Sequence, residues 1–339
     1  MRKILRMSGL LAAALIFATQ TNPLAAQAPI TPTGHILKIN VFPAGFNWPL
    51  WVAQDQGLFL KNMLEVELIQ TPNSVAQMTG LIDGRFDIAM TAIDNVIAYM
   101  EGQGEAKTSV EPDITAFMGS DNGFLSLIVA PDIKRAADLR GKTFSVDALT
   151  TGYAFVLRRM LETEGLSQAD YALERVGGML QRFNALIEGK QSGTLLVPPF
   201  TFTAADKGYR ELGTAINLLG RYQGVVAAAR RGWLRDHREE AIGFIRAYIS
   251  ALDWLYKTTN LRTALATYVA HMAGSSAGVA EKSYNVLLDP RNGFAKKAEL
   301  DVDGIRTVME LRSRYAEPRK NLTDPARYYD ESFYRAATQ

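Results

Sequence analysis

Residues 36–91 read ILKINVFPAGFNWPLWVAQDQGLFLKNMLEVELIQTPNSVAQMTGLIDGRFDIAMT, and their patterning decides the fold class. Residues 36–42 alternate and carry β-branched side chains, so they are expected to form a strand. Pro43, Ala44, Gly45 and Phe46 turn the chain. Asn47 suits an N-cap, with Pro49 in the first turn of a helix over 49–56 that stops at Gly57. Residues 64–70 alternate again, as a second strand. Thr71, Pro72, Asn73 and Ser74 form a loop with capping side chains, and a helix over 75–83 ends at Gly84. A strand over 86–91 and a helix over 93–101 follow. The order β-α-β-α-β-α is that of a mainly parallel sheet covered by helices.

The same grammar returns downstream. Strands are expected at 142–147, 171–176 and 194–197, and helices at 153–164 and 180–188. The stop Gly57 corresponds to Gly165, and Gly84 to Gly189, with spacings of 27 and 24 residues. Two matched stops with matched apolar flanks indicate a repeated unit better than one would. Between the units, residues 124–130 are strand-like, and 225–229 after the second unit are too. Two crossing strands flanking an inserted lobe are what a hinge requires. The expected division is therefore 35–123 for a first lobe, 124–224 for a second, and 225–339 for a return to the first. Helices at 239–257, 262–272, 276–288 and 302–315 are expected to pack on that first lobe.

The N-terminus has the order of a secretory signal peptide. Arg2, Lys3 and Arg6 precede an apolar run over 10–18, then a short polar stretch of small residues with Pro23. The run is far short of the roughly 20 residues a membrane-spanning helix needs. Cleavage is expected after Ala26, with Ala28 as the other option, which makes 1–26 a leader and the mature protein periplasmic. The chain has 37 basic and 35 acidic residues. Without the leader the balance is 34 against 35, which offers nothing to nucleic acid or an anionic membrane. The chain has no Cys, so it is no lipoprotein, and thiolate chemistry and thiolate metal sites are excluded. His35, His237 and His271 lie far apart in sequence and read as surface or packing residues. No metal or cofactor is expected.

Residues 49–59 (PLWVAQDQGLF), 64–68 (LEVEL), 80–89 (GLIDGRFDIA) and 138–142 (DLRGK) together resemble the NMT1/THI5-like and SsuA/TauA-like substrate-binding proteins, over most of 36–230. The resemblance implies a type II periplasmic binding fold: two α/β lobes with mainly parallel sheets, joined by a two-strand hinge, with extra C-terminal helices on lobe 1. It also implies an ABC importer, with permease and ATPase subunits as partners. Ligands in such families include nitrate, sulfonates, thiamine pyrimidine precursors, riboflavin and aromatic acids. The sequence departs from the family pattern in its second half. Ser192 stands where an Asp is usual, and Pro198-Pro199 lacks the usual acid.

In open α/β sheets, ligands bind beyond the carboxyl ends of the strands. That rule selects Phe46, Asn47 and Trp48; Asn73 and Ser74; Asp94 and Asn95; and Asn122. From the second unit it selects Thr150, Thr151, Gly152 and Tyr153, then Gly178 with Arg182, Phe200 and Tyr222. Thr150-Thr151-Gly152 at a helix start is the anion candidate, although plain capping explains the threonines too. Arg182 suits a bidentate carboxylate or sulfonate clamp, or a solvated helix face. Trp48 is the preferred ring wall, since Phe46 and Phe200 also suit the core. Asp94 favours a ligand with N–H groups, so Asp94 and Arg182 together suggest a polar heterocycle or a zwitterion. The expected function is a monomeric solute-binding protein rather than an enzyme. An enzyme of the pyrimidine-synthesis-like branch and a binding protein feeding a sensor are the alternatives.

Overall fold

Strand β1 (Ile36–Val41) sits near the middle of a five-stranded sheet. Its neighbours are β2 (Glu65–Gln70) and β3 (Ile88–Ala92), both parallel to it. The computed structural model describes residues 34–339, and the expected leader lies outside the described residues. Beyond β3 comes β10 (Val225–Arg230), antiparallel, and then β4 (Ile114–Gly119) at the edge. The order is β2-β1-β3-β10-β4.

The second sheet repeats this arrangement. Its order is β7 (Ala172–Arg175), β6 (Thr143–Val146), β8 (Gly193–Leu196), β5 (Ser126–Val129) and β9 (Arg210–Thr214). Again three parallel strands meet one antiparallel strand beside an edge strand. In each sheet four strands run one way, and the fifth is the strand that has just come across from the other sheet. The four paired stops, Gly57, Gly84, Gly165 and Gly189, all have φ between 62 and 82°, a region that glycine enters without a Cβ penalty.

The departure at Ser192 has a local explanation. Asp87 binds β1 twice, through its N–H to the Lys38 carbonyl and through its carboxylate from the Lys38 N–H. Ser192 makes the equivalent backbone bond to Thr143 and also accepts the Ala130 N–H through its carbonyl. The backbone alone secures the second copy.

The strand-like segments 124–130 and 225–229 each belong to one sheet. The crossings themselves are short, residues 120–125 and 220–224. They meet at Asp121, whose carboxylate accepts from Gly123 N–H and Val225 N–H and from Ser120 Oγ. Burial pushes this carboxyl up to about 6.

The helix Arg238–Leu255 packs on the first lobe, where Phe244 meets Phe59 and Phe117. The helix Val302–Tyr315 does more than cover that lobe: it is wedged between the helix Ile93–Met100 of the first lobe and the helix Gly152–Thr163 of the second. No described helix is long and apolar enough to cross a membrane.

Candidate functional site

A small cavity lies between the carboxyl ends of β1 and β3 and those of β6 and β7. The first lobe supplies Phe42, Phe46, Met90, Thr91 and Asn95 to its wall. The second supplies Asp147, Thr151, Gly152, Tyr153, Met179 and Arg182, with Gly178 at the rim. The space open to the centres of water molecules is about 40 Å³, enough for a few waters at ~10–15 Å³ each.

The lobes touch around this space through hydrogen bonds. Gly45 N–H donates to Pro198 O at 3.1 Å, and Gly178 N–H to Pro72 O at 2.8 Å. Ser74 N–H donates to Asp147 Oδ2 at 2.9 Å. Gly152 N–H donates to Asp94 Oδ2. The three glycines here have no room for a side chain: a Cβ on Gly152 falls 2.5 Å from Asp94, one on Gly178 2.9 Å from Pro72 O, and one on Gly45 2.8 Å from Pro198 O.

Arg182 is the dominant charge. It is 3% exposed. Its Nη1 donates to Leu195 O at 3.0 Å and lies 3.4 Å from Thr194 Oγ1, while Nη2 contacts Met179 Sδ. Its Nε has no partner. Burial lowers its pKa, and Asp147 offsets this by charge, without an ion pair among the described residues. Asp147 is in turn pushed up by burial, with one oxygen unpartnered. A buried guanidinium edge and a buried carboxylate oxygen thus both lack partners at one cavity, although buried polar groups are normally satisfied.

The expected site residues divide. Phe46, Asn95, Thr151, Gly152, Tyr153 and Arg182 line the cavity. Trp48 does not: it is fully buried and packs on Tyr268 and Tyr284, because its helix starts one residue early and turns the ring into the core. Phe200 is buried against Phe183. Asn47 is buried and donates to Phe42 O, which shapes the loop behind the wall. Asn73 caps the helix Ser74–Ile82, and Ser74 contributes its N–H to the seal. Asn122 points outward to Asn292 O. Tyr222 is buried with its ring 6.4 Å from that of Tyr153.

The anion loop and Asp94 need the clearest correction. Asp94 is not a free pocket acid. It forms a buried, two-pronged ion pair with Arg312, Oδ1 to Nε and Oδ2 to Nη2, both at 2.7 Å. Arg312 Nη2 also donates to Thr150 O at 2.8 Å, and Thr150 Oγ1 donates to Glu105. The chain's own carboxylate therefore occupies the Gly152 N–H at the start of the second-lobe helix. The residues passed over in the sequence are Phe42, Met90, Thr91, Ala92, Asp147, Met179 and Val225. Phe42 and Asp147 directly follow β1 and β6, so the strand-end rule reaches them; both read as the last residue of a strand instead.

The sequence profile of the NMT1-like family matches residues 32–270. No curated protein matches the chain in sequence. Among solved structures, a protein from Bordetella bronchiseptica RB50 is similar at 17% identity and TM-score 0.75, over 89% of this chain and 96% of that one. The periplasmic nitrate-binding protein NrtA from Synechocystis PCC 6803 is similar at 13% identity and TM-score 0.74, over 91% and 89%. The periplasmic aliphatic sulphonate binding protein SsuA from Escherichia coli is similar at 16% identity and TM-score 0.63, over 85% and 94%. These neighbours share the fold, and the profile match over most of the chain places it in the NMT1-like family.

Proposed function

We propose that this chain is the periplasmic solute-binding component of an ABC importer, and that it closes two lobes on a small organic molecule. The observation that carries this reading is the cavity between two matched sheets, lined by Arg182 and Asp147, each of which keeps one buried polar atom without a partner. Such a site is built to take polar groups from a ligand. The lobes are residues 35–123 with 225–339, and residues 124–224. Sulfonate- and nitrate-binding neighbours are consistent with an anionic ligand group.

The ligand's anionic group, a carboxylate or sulfonate, faces the free Nε edge of Arg182. An N–H of the same molecule faces Asp147, which replaces Asp94 as the recognising acid. Aromatic and thioether side chains at Phe42, Phe46, Met90 and Met179 suit a flat or aliphatic body. At about 40 Å³ the closed cavity is too small for such a molecule, so binding requires the lobes to part and re-close around it. The protein carries the solute unchanged to a permease and its ATPase. The leader directs export, and the mature chain starts at Gln27.

Thermal-shift screening of sulfonates, aromatic acids, pyrimidines and amino compounds tests this reading, since a ligand that binds only the folded state raises its apparent stability. A hit is expected to bind one per chain, to be recovered chemically unchanged, and to lose at least tenfold in affinity in Arg182→Met. A hit that the protein consumes, or one indifferent to Arg182→Met and Asp147→Asn, overturns it.

A further inference from the structure

Two of the three histidines, 202 residues apart in sequence, come together far from the cleft. His35 immediately precedes β1, and His237 opens the helix Arg238–Leu255. Their rings lie 5.4 Å apart. Glu240, in the first turn of that helix, offers one oxygen to each: Oε2 lies 2.9 Å from His35 Nδ1, and Oε1 3.4 Å from His237 Nδ1. We propose that His35, His237 and Glu240 form a binding site for a divalent transition metal, of which Zn²⁺ is the representative.

Two observations converge on this. The ligand atoms of the three residues all lie within 4.8 Å of one another. In a tetrahedral zinc site with bonds of about 2.0–2.1 Å, ligand atoms stand about 3.3 Å apart, so a contraction of about 1.5 Å completes the set. Both imidazoles are more than a third exposed and are free to make that adjustment.

The surroundings already orient the ligands. Asp87 approaches His35 Nε2 at 3.5 Å and is itself fixed by the Lys38 N–H at 2.9 Å. A carboxylate near Nε2 is the usual backing of a metal-bound histidine, and a metal at Nδ1 takes the place of the proton that Nδ1 shares with Glu240 Oε2. His237 is held by stacking on Trp233, with the rings 13° from parallel.

The donor set also selects the ion. Two imidazole nitrogens and a carboxylate suit zinc, nickel or copper, whereas calcium and magnesium prefer all-oxygen cages. The exposed side leaves a fourth position for water. His35 and Asp87 precede β1 and β3, while the cavity follows those strands. The six residues of β1 put about 20 Å between the two places. The site does not depend on the proposed solute carriage. Its role is to pin the entry of the chain to the longest helix of the first lobe.

Equilibrium dialysis of the full chain without a polyhistidine tag, with metal content measured, tests the proposal. One Zn²⁺ per chain is expected, with a rise in Tm. Mg²⁺ is expected to give no rise. His35→Ala and His237→Ala are each expected to weaken Zn²⁺ at least tenfold. His237→Gln keeps a hydrogen-bonding group beside Glu240 and is expected to lose Zn²⁺ equally, which separates a metal site from a hydrogen-bond network. His271→Ala is the control: that imidazole pairs with Asp55 and stacks on Trp51, and its loss is expected to leave Zn²⁺ binding unchanged. Absence of stoichiometric Zn²⁺, or binding unchanged in both His35→Ala and His237→Ala, overturns the proposal.

Discussion

Replacing Arg312 by Met removes one partner of a fully buried ion pair while keeping most of the side-chain volume. The guanidinium gives up two bonds to Asp94 at 2.7 Å, one to Thr150 O at 2.8 Å and one to Gln103 Oε1 at 3.3 Å. It also leaves the face of Phe155, 5.1 Å away. Asp94 then keeps only the Gly152 N–H as a partner, at 1% exposure. Summing the lost bonds counts one energy several times; the relevant quantity is the cost of stranding a buried charge, about 3–5 kcal/mol. The double variant Asp94→Asn/Arg312→Met has no charge to strand, so most of that cost is expected to return. The assay is urea unfolding of the four proteins of the cycle at neutral pH, compared at constant m-value. A coupling of at least about 2 kcal/mol is expected, well above the ~0.5 kcal/mol within which independent sites add. A loss below about 1 kcal/mol in Arg312→Met, or an additive double variant, refutes the reasoning that Asp94 and Arg312 act as one buried charge pair of the first lobe, at the face that meets Thr150 and Gly152.

Two further outcomes follow from the seal and the crossings. Asp121 titrates near 6 in the folded chain against an ordinary 3.8, so the folded state holds the proton more tightly than the unfolded one. Its contribution to stability is greatest below about pH 4 and is lost as pH rises through 6, on the order of 3 kcal/mol; urea unfolding from pH 4 to 7 is expected to show this slope in the parent and a flatter one in Asp121→Asn, and equal slopes refute it. Gly152→Ala sets a Cβ 2.5 Å from the Asp94 side chain, so the lobes are expected to stand further apart, seen as a larger radius of gyration in solution scattering; a profile identical to the parent counts against the seal.

The first lobe was readable because local signals agree there. Alternation in 36–42, the Asn47-Trp48-Pro49 turn and the stop at Gly57 all point the same way, and the observed strand and helix ends fall within a residue or two. The unit repeat was readable for the same reason, since four glycine stops need the same positive φ. The strand β9 was not read, because an edge strand of Arg, Glu, Leu, Gly and Thr buries little and shows no apolar period. The strand β4 was missed for the opposite reason: it is buried throughout and has no polar alternation. The lining of the candidate cavity was legible where it depends on strand ends, as with Arg182 and Thr151. It was illegible where it depends on distant partners. Nothing near Asp94 announces Arg312, 218 residues away, and nothing near Trp48 announces Tyr268. The same distance hid the meeting of His35 with His237.

The hydrogen-bonded rim around so small a cavity also sets a clock. In the proposed carrier, a solute of organic size does not fit while Gly45, Gly178, Ser74 and Gly152 hold their partners across the rim. On that reading capture waits on a spontaneous parting of the lobes, and its rate is expected to level off at high solute concentration, at the opening rate. Release waits on the same event, so residence time belongs as much to the rim as to the groups that touch the solute. On the proposed role, a permease that pries the rim apart is thereby expected to speed delivery, with no contact to the cargo at all.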